Sequence, residues 1–196
     1  KFENKIDKLS ACILALYQPV ANDLRFVLAT IKINSWLEQI GDLIDSNAKK
    51  VSQTPEPWPE ELLEQVKFQE MAETVQEILS AAVNGFFQDN VQTSKSIVML
   101  DDEVDEYYHC GKRRLYELIG EQPQNVESLV NLLMILKKLE NIADYCVLIA
   151  DESVYNVEAV MYKHSDSKMA YRTEGPTPVD FDGSAVEQRR AANGGR

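Results

Sequence analysis

Four pairs of acidic residues repeat the same spacing, with one carboxylate four residues after another. They are Glu3 and Asp7 in ENKID, Glu38 and Asp42 in EQIGD, Asp101 and Asp105 in DDEVD, and Glu140 and Asp144 in ENIAD. On a helix, residues i and i+4 share a face, so each pair sets two like charges side by side, at a cost of roughly 0.2–0.5 kcal/mol. A multivalent cation turns that repulsion into coordination, and an oxygen donor set suits Ca, Mg, Mn and Fe. One such pair is ordinary on a solvated helix. Four pairs in a repeated arrangement point to metal binding, with the metal left open.

The pairs define an internal repeat. Glu3 and Glu38 are 35 residues apart, and Asp101 and Glu140 are 39 apart. Each copy therefore reads as helix–turn–helix with one acidic pair on each helix. At about 1.5 Å of rise per residue, the two pairs of a copy stand at nearly the same height, so each copy can gather four carboxylates in one layer. Their neighbours fix how they face. Ile33, Leu37, Ile40 and Ile44 form an apolar stripe on one helix, and Leu132, Leu136, Leu139 and Ala143 form one on another. The acidic pair sits one position round from each stripe, at the border of the core.

His109 follows Asp105 by four residues and closes an E-x-x-H match in EYYH. It is a candidate extra ligand. A di-iron bundle enzyme needs two such motifs from different helices, and only one is present. No phosphate loop, nucleophile elbow or catalytic triad pattern appears. A carboxylate-bridged metalloenzyme is the remaining enzymatic alternative, although such work usually needs a histidine or a positioned base; the expectation is a non-enzyme.

Five helices must position these residues. The first covers about 1–17. The second starts after Pro19 and runs to about Ser52. The proline-rich stretch TPEPWPE at 54–60 stops it. The third spans about 60–88, with apolar residues at helical spacing. Thr93 or Ser94 is expected to cap the fourth, and Gly120 to end it. Asn125 caps a fifth helix reaching about His164. Nothing alternates with period two, so no sheet is expected. The divisions are a helical hairpin at 1–53, a three-helix unit at 60–164, and an irregular or disordered tail at 165–196. A full repeat would hold three helices, and the first copy's counterpart of the 60–88 helix, before Lys1, is absent from this chain.

Composition narrows the function classes. With 196 residues the chain can bury a core. A net charge of −12 argues against binding nucleic acid or an anionic membrane, which need basic surfaces. No run approaches the ~20 apolar residues of a membrane span. The three cysteines, Cys12, Cys110 and Cys146, form no CxxC and read as free, buried thiols in a reducing cytoplasm. Asp23 and Arg25 in DLR open the second helix; Arg25 can reach a neighbouring acid, and both are candidate partner contacts. Trp36 and Trp58 read as packing residues.

The stretch LYQPVANDLRFVLATIKINSWLEQIGD, Leu16 to Asp42, closely resembles the signature of the PhoU family, and LENIADYCVLIADESVY resembles that family's second-copy motif. The resemblance covers residues 1 to about 164. It implies an all-α fold of tandem three-helix bundles, with the first helix of repeat 1 missing here. It implies multinuclear iron or zinc clusters held by the acidic motifs. It also implies a regulator of phosphate uptake and phosphate-starvation signalling, acting through a phosphate ABC transporter ATPase and a sensor histidine kinase. PhoU-like domains accompany sodium-coupled and other phosphate transporters too, which is the alternative role. The implied location is the cytoplasm, peripheral at the inner membrane face through partners. A homodimer is left open.

Overall fold

The computed structural model describes residues 2–159, and within them the chain is all-α. The helices are α1 (Glu3–Tyr17), α2 (Ala21–Gln53), α3 (Glu60–Gln65), α4 (Phe68–Phe87), α5 (Val91–Glu121) and α6 (Val126–Glu158), with a 3₁₀ turn at Pro123–Asn125 before α6. α6 ends at Glu158, where Ala159 turns left-handed at φ 59°, short of the expected His164; residues 160–164 and the expected tail at 165–196 lie outside the described residues.

The centre of the fold is α6. It packs against α2, α4 and α5. Its sequence is apolar around most of its circumference, with Leu132, Leu136, Ile142, Ala143, Cys146 and Ile149 all at 0–1% exposure. A helix apolar on one stripe needs one neighbour; a helix apolar all round must be enclosed. By contrast α4 shows a single stripe, with Met71, Val75, Ile78, Ala82 and Phe86 buried at spacings of three and four. Those residues close a three-helix bundle with α5 and α6.

Along its other side α6 runs antiparallel to α2. Polar contacts fix the register from end to end. Lys50 Nζ donates to Asn131 Oδ1 at 2.9 Å, Asn47 Nδ2 to Ile135 O at 3.4 Å, and Lys138 Nζ to Ser46 Oγ at 2.6 Å. Further up, Lys32 Nζ reaches Glu152 Oε1 at 2.7 Å, and Arg25 Nε donates to Asn156 O at 3.2 Å. The side of α2 turned from α6 packs against α1, with the end of α4 meeting the start of α2. An apolar groove of about 370 Å³ lies there, lined by Ile6, Ile13, Phe26, Leu37 and Phe86 among others. Phe26 stacks on Phe86 with centroids 5.7 Å apart.

Several sequence expectations change here. The expected stripe on α2 is only half covered: Ile33 and Ile40 are buried at 5% and 2%, while Leu37 and Ile44 are 37% and 48% exposed. The expected third helix is two helices. Lys67 takes a left-handed conformation at φ 58° and ends α3. No glycine or proline stands at the break. Val66 at 0% exposure plugs the core there. Its carbonyl oxygen and Cβ lie 3.0 and 3.4 Å from where a Cβ on Gly111 would stand. Only glycine lets α5 come that close.

The helix caps move as well. Asn90, not Thr93 or Ser94, caps α5, its Oδ1 accepting from Gln92 N at 3.1 Å, while Ser94 is buried and its hydroxyl donates to Ala150 O. α5 runs past Gly120 to Glu121. Asn125 precedes α6 without a side-chain cap bond. Trp58 packs at the core's edge, and its indole N–H donates to Ser128 O at 3.2 Å.

Candidate metal centre

The α5–α6 hairpin sets the second copy's four carboxylates near enough for the other three to act on Asp144. Asp101 is fully buried at 0% exposure, Asp105 is half-buried, and Asp144 is exposed. The Glu140 side chain is 13% exposed. Asp144 records their convergence. Its carboxyl is pushed from 3.8 up to about 6, first by burial, then by the charges of Glu140, Asp101 and Asp105, with Lys137 opposing. The charges of both α5 acids act on this α6 acid, which fits the hairpin register that the spacing predicted. Water reaching Asp144 screens part of this repulsion, which lets the layer persist.

Lys137 supplies positive charge to the same layer. Its ammonium forms an ion pair with Glu140, one turn further along α6, and lies 5.3 Å from the Tyr108 ring centroid. Burial would lower its pKa, but Glu140, with Tyr108 and Asp144 adding, leaves it raised. Lys112 approaches the same Tyr108 ring at 5.7 Å and Tyr116 at 5.8 Å. His109 is exposed, its ring 5.7 Å from that of Tyr108. Cys146 lies under the layer. Burial, then the Asp101 charge, pushes its thiol to about 12, so it supplies no thiolate at neutral pH. Cys12 and Cys110 are exposed, which corrects the expectation of three buried thiols. They stand on the solvent side of α1 and α5.

The first copy is looser. Asn34 Nδ2 donates to Asp7 Oδ1 at 3.0 Å and to the Glu3 carbonyl oxygen at 3.2 Å. This register sets Glu3 beside Glu38, one turn on, and leaves Asp42 beyond the first turn of α1. Asp7, Glu38 and Asp42 are exposed and Glu3 is half-buried. The small residue before each motif aspartate also differs: a Cβ on Gly41 would meet nothing within 4 Å, whereas Ala143 is at 0% exposure. The α2–α6 register puts Glu38 level with Asp144 and Asp42 level with Glu140. The charges that act on Asp144 all come from α5 and α6, so the two layers share a height but face different ways.

The donor types of the second copy fit a hard cation: four carboxylates, one of them buried, with no thiolate. Among the described residues, no three His, Cys, Asp or Glu side chains stand close enough to share one ion. Binding there therefore requires the carboxylates to rotate inward. The first copy has the donors without the enclosure.

Arg25 does not reach an acid. Its Nη2 donates to Asn22 Oδ1 at 2.8 Å and its Nε to Asn156 O. A cation at the last carbonyls of α6 is well placed against the helix dipole, so Arg25 ties the start of α2 to the end of α6. Asp23 is exposed in the first turn of α2. Sequence reasoning missed Lys137, although a lysine three before a glutamate on a helix was a readable pairing. It also missed Glu152, at 3% exposure and paired with Lys32.

Comparisons with known proteins agree with this architecture. The PhoU domain family matches residues 1–51 and 68–153. The phosphate-specific transport system accessory protein PhoU homolog of Aquifex aeolicus is 32% identical over 166 residues, 85% of this chain and 74% of that protein. The crystal structure of PhoU from Pseudomonas aeruginosa superposes with a TM-score of 0.72 at 27% identity, covering 81% of this chain and 75% of that one. The phosphate transport system regulatory protein PhoU from Streptococcus pneumoniae gives a TM-score of 0.68 at 26% identity, covering 81% and 77%. Among the described residues no helix is long and apolar enough to cross a membrane. A family match over both helical copies, with the acidic motifs at matching places in each, leads to one assignment: this chain belongs to the PhoU family.

Proposed function

We propose that this protein is a metal-binding accessory regulator of phosphate transport that acts by protein–protein contact in the cytoplasm. The family match over both copies carries the reading. The relatives' names tie PhoU proteins to phosphate-specific transport, and the net charge of −12 favours protein partners over nucleic acid or a bare anionic membrane. The partners expected from the family are the transporter's ATPase and the sensor kinase. Exposed Asp23 at the start of α2 remains a candidate contact; Arg25 is engaged within the fold.

Glu140, Asp144, Asp101 and Asp105 would hold the ion in the second copy, and Glu3, Asp7, Glu38 and Asp42 in the first. When bound, a multivalent cation supplies charge neutralisation and a fixed geometry to otherwise repelling carboxylates. Asp101 anchors the second layer on its buried side, and Asp144 stands at its solvent side. This donor set suits Mn, Fe and Mg better than Zn, which prefers nitrogen and sulfur.

Elemental analysis of protein purified without chelator or metal-affinity resin tests the metal. Glu140→Gln with Asp144→Asn is expected to abolish binding in the second copy; full stoichiometry in that variant would refute the assignment. A deletion strain grown in phosphate excess tests the role. Derepressed phosphate uptake and starvation-gene transcription are expected, and unchanged levels of both would sink it.

A further inference from the structure

From Glu140 towards the α5–α6 turn, the outer face of α6 changes character. Val126, Val130 and Met134 follow one another at intervals of four, so they form one row on the helix. They are 40%, 39% and 45% exposed. The other sides of α6 are taken up by α2, α4 and α5, and this row is what they leave. The neighbouring helices border it with lysines. On α5, Tyr108, Lys112 and Tyr116 repeat the four-residue interval, and the Lys112 ammonium lies 5.7 and 5.8 Å from the two ring centroids. Tyr116 is 55% exposed. Lys137, three residues after Met134, joins α6 to this ladder over the same Tyr108 ring. At the opposite border, Lys50 of α2 donates to Asn131 Oδ1, and Lys138 of α6 donates to Ser46 Oγ on α2.

Four lysines therefore surround an apolar row, in a chain whose net charge is −12. Lys137 pairs with Glu140. Lys50 and Lys138 bond an amide and a hydroxyl oxygen, and Lys112 stands over two rings, so these three partners are neutral and leave the positive charge uncancelled. Exposed Glu127 lies at the turn end of the row. Ammonium groups already held against rings and oxygens lose less freedom when a partner arrives. Tyrosine and methionine are also residues that protein interfaces concentrate. Nucleic acid or an anionic membrane would bring a broad negative surface against the rest of an acidic chain. A single acidic helix is narrow enough to meet the lysines alone. The row spans about 12 Å at 1.5 Å per residue, a fit to two turns of such a helix.

We propose that this face of α5, α6 and α2 is a docking surface for an acidic amphipathic helix of a partner protein. The apolar side of that helix lies on Val126, Val130 and Met134, and its carboxylates meet Lys50, Lys112, Lys137 and Lys138. The inference rests on the reading of regulation by protein–protein contact, and it names the face used and the chemistry of the partner.

Fluorescence anisotropy tests this with a labelled helical peptide of about 18 residues, leucines on one face and glutamates flanking them. At about 0.15 M salt the full chain is expected to bind this peptide and not its counterpart with lysine for every glutamate. Met134→Asp, and Lys112→Glu with Lys138→Glu, are each expected to weaken binding about tenfold or more. Lys5→Glu with Lys8→Glu makes the same charge change on exposed positions of α1 and is expected to alter binding by less than about twofold. Circular dichroism and melting confirm that each variant is folded. Absence of peptide binding, or equal weakening by the α1 pair, overturns the proposal. So does a dimer in sedimentation that Met134→Asp alone converts to monomer, since a second copy would then cover the face. In cells, Met134→Asp at normal abundance is expected to leave phosphate uptake as derepressed as deletion does. Full repression by that variant overturns the docking surface and spares the regulatory reading. A deletion strain with no derepression overturns the regulatory reading, and the peptide then decides the surface.

Discussion

Asp144→Asn is expected to stabilise the metal-free protein at neutral pH, an unusual result for a change in a candidate site. Burial and the charges of Glu140, Asp101 and Asp105 raise the Asp144 carboxyl from 3.8 to about 6. At 1.36 kcal/mol per pH unit, the penalty for ionising it in the fold has a ceiling of roughly 3 kcal/mol. Asp144 is exposed, so solvent screening removes more than half, leaving roughly 1 kcal/mol. The sign follows from linkage. Because the folded-state pKa lies above the unfolded one, the wild type is most stable relative to the variant below 3.8 and loses that advantage as pH rises through about 6. Asparagine cannot ionise and escapes the loss. In chelator, urea unfolding should therefore give the variant about 1 kcal/mol more stability at pH 7.5, or a rise of about 2–4 °C in Tm, and the gain should fade toward pH 4. Glu140 is the wrong residue for this test, since its removal also breaks the ion pair with Lys137. A loss of stability at pH 7.5, or an equal gain at both pH values, would refute the picture of mutually repelling acids.

Three further outcomes are expected. Lys32→Met strips the partner from Glu152, at 3% exposure, and should cost about 3 kcal/mol in urea unfolding; adding Glu152→Gln should recover much of it, and a loss under about 0.5 kcal/mol would show the pair to be incidental. Gly111→Ala puts a Cβ 3.0 Å from the Val66 carbonyl and from Leu136 Cδ1; since the backbone cannot yield, a loss of about 1–3 kcal/mol is expected, read as a drop in Tm, and an unchanged Tm would mean α5 moves freely. Iodoacetamide should label exposed Cys12 and Cys110 in the native protein and Cys146 only in denaturant, because the thiol at about 12 is both buried and un-ionised; native labelling of Cys146 would contradict the packing of α6.

The heights of the carboxylate pairs on α5 and α6 were readable because they depend on local spacing. The four-residue interval puts two carboxylates on one helix face whatever the surroundings, and equal distances from the turn set Asp101 and Asp105 level with Glu140 and Asp144. What spacing could not give was environment. Asp101 is at 0% exposure while Asp42 is exposed, although both occupy the same i, i+4 pattern. The difference is made by neighbours distant in the chain: α6 is enclosed by three helices, and α2 has α6 on one side and the shorter α1 along the other.

The fold divides the same way. Length, sparse glycine and 3.6-residue periodicity determined long helices and their approximate limits, because those depend on residues within a turn or two of each other. The break between α3 and α4 had no such source. The residues from Gln65 to Lys67 contain no breaker, and the chain turns there because Val66 fits against Gly111, 45 residues away. The α2–α6 register, the Lys32–Glu152 pair and the place of Arg25 at the end of α6 are likewise contacts between residues 81 to 131 positions apart. Sequence by itself determined which faces carry charge and which carry oil. Only tertiary packing decided which faces were covered, and with that which carboxylates feel one another most strongly.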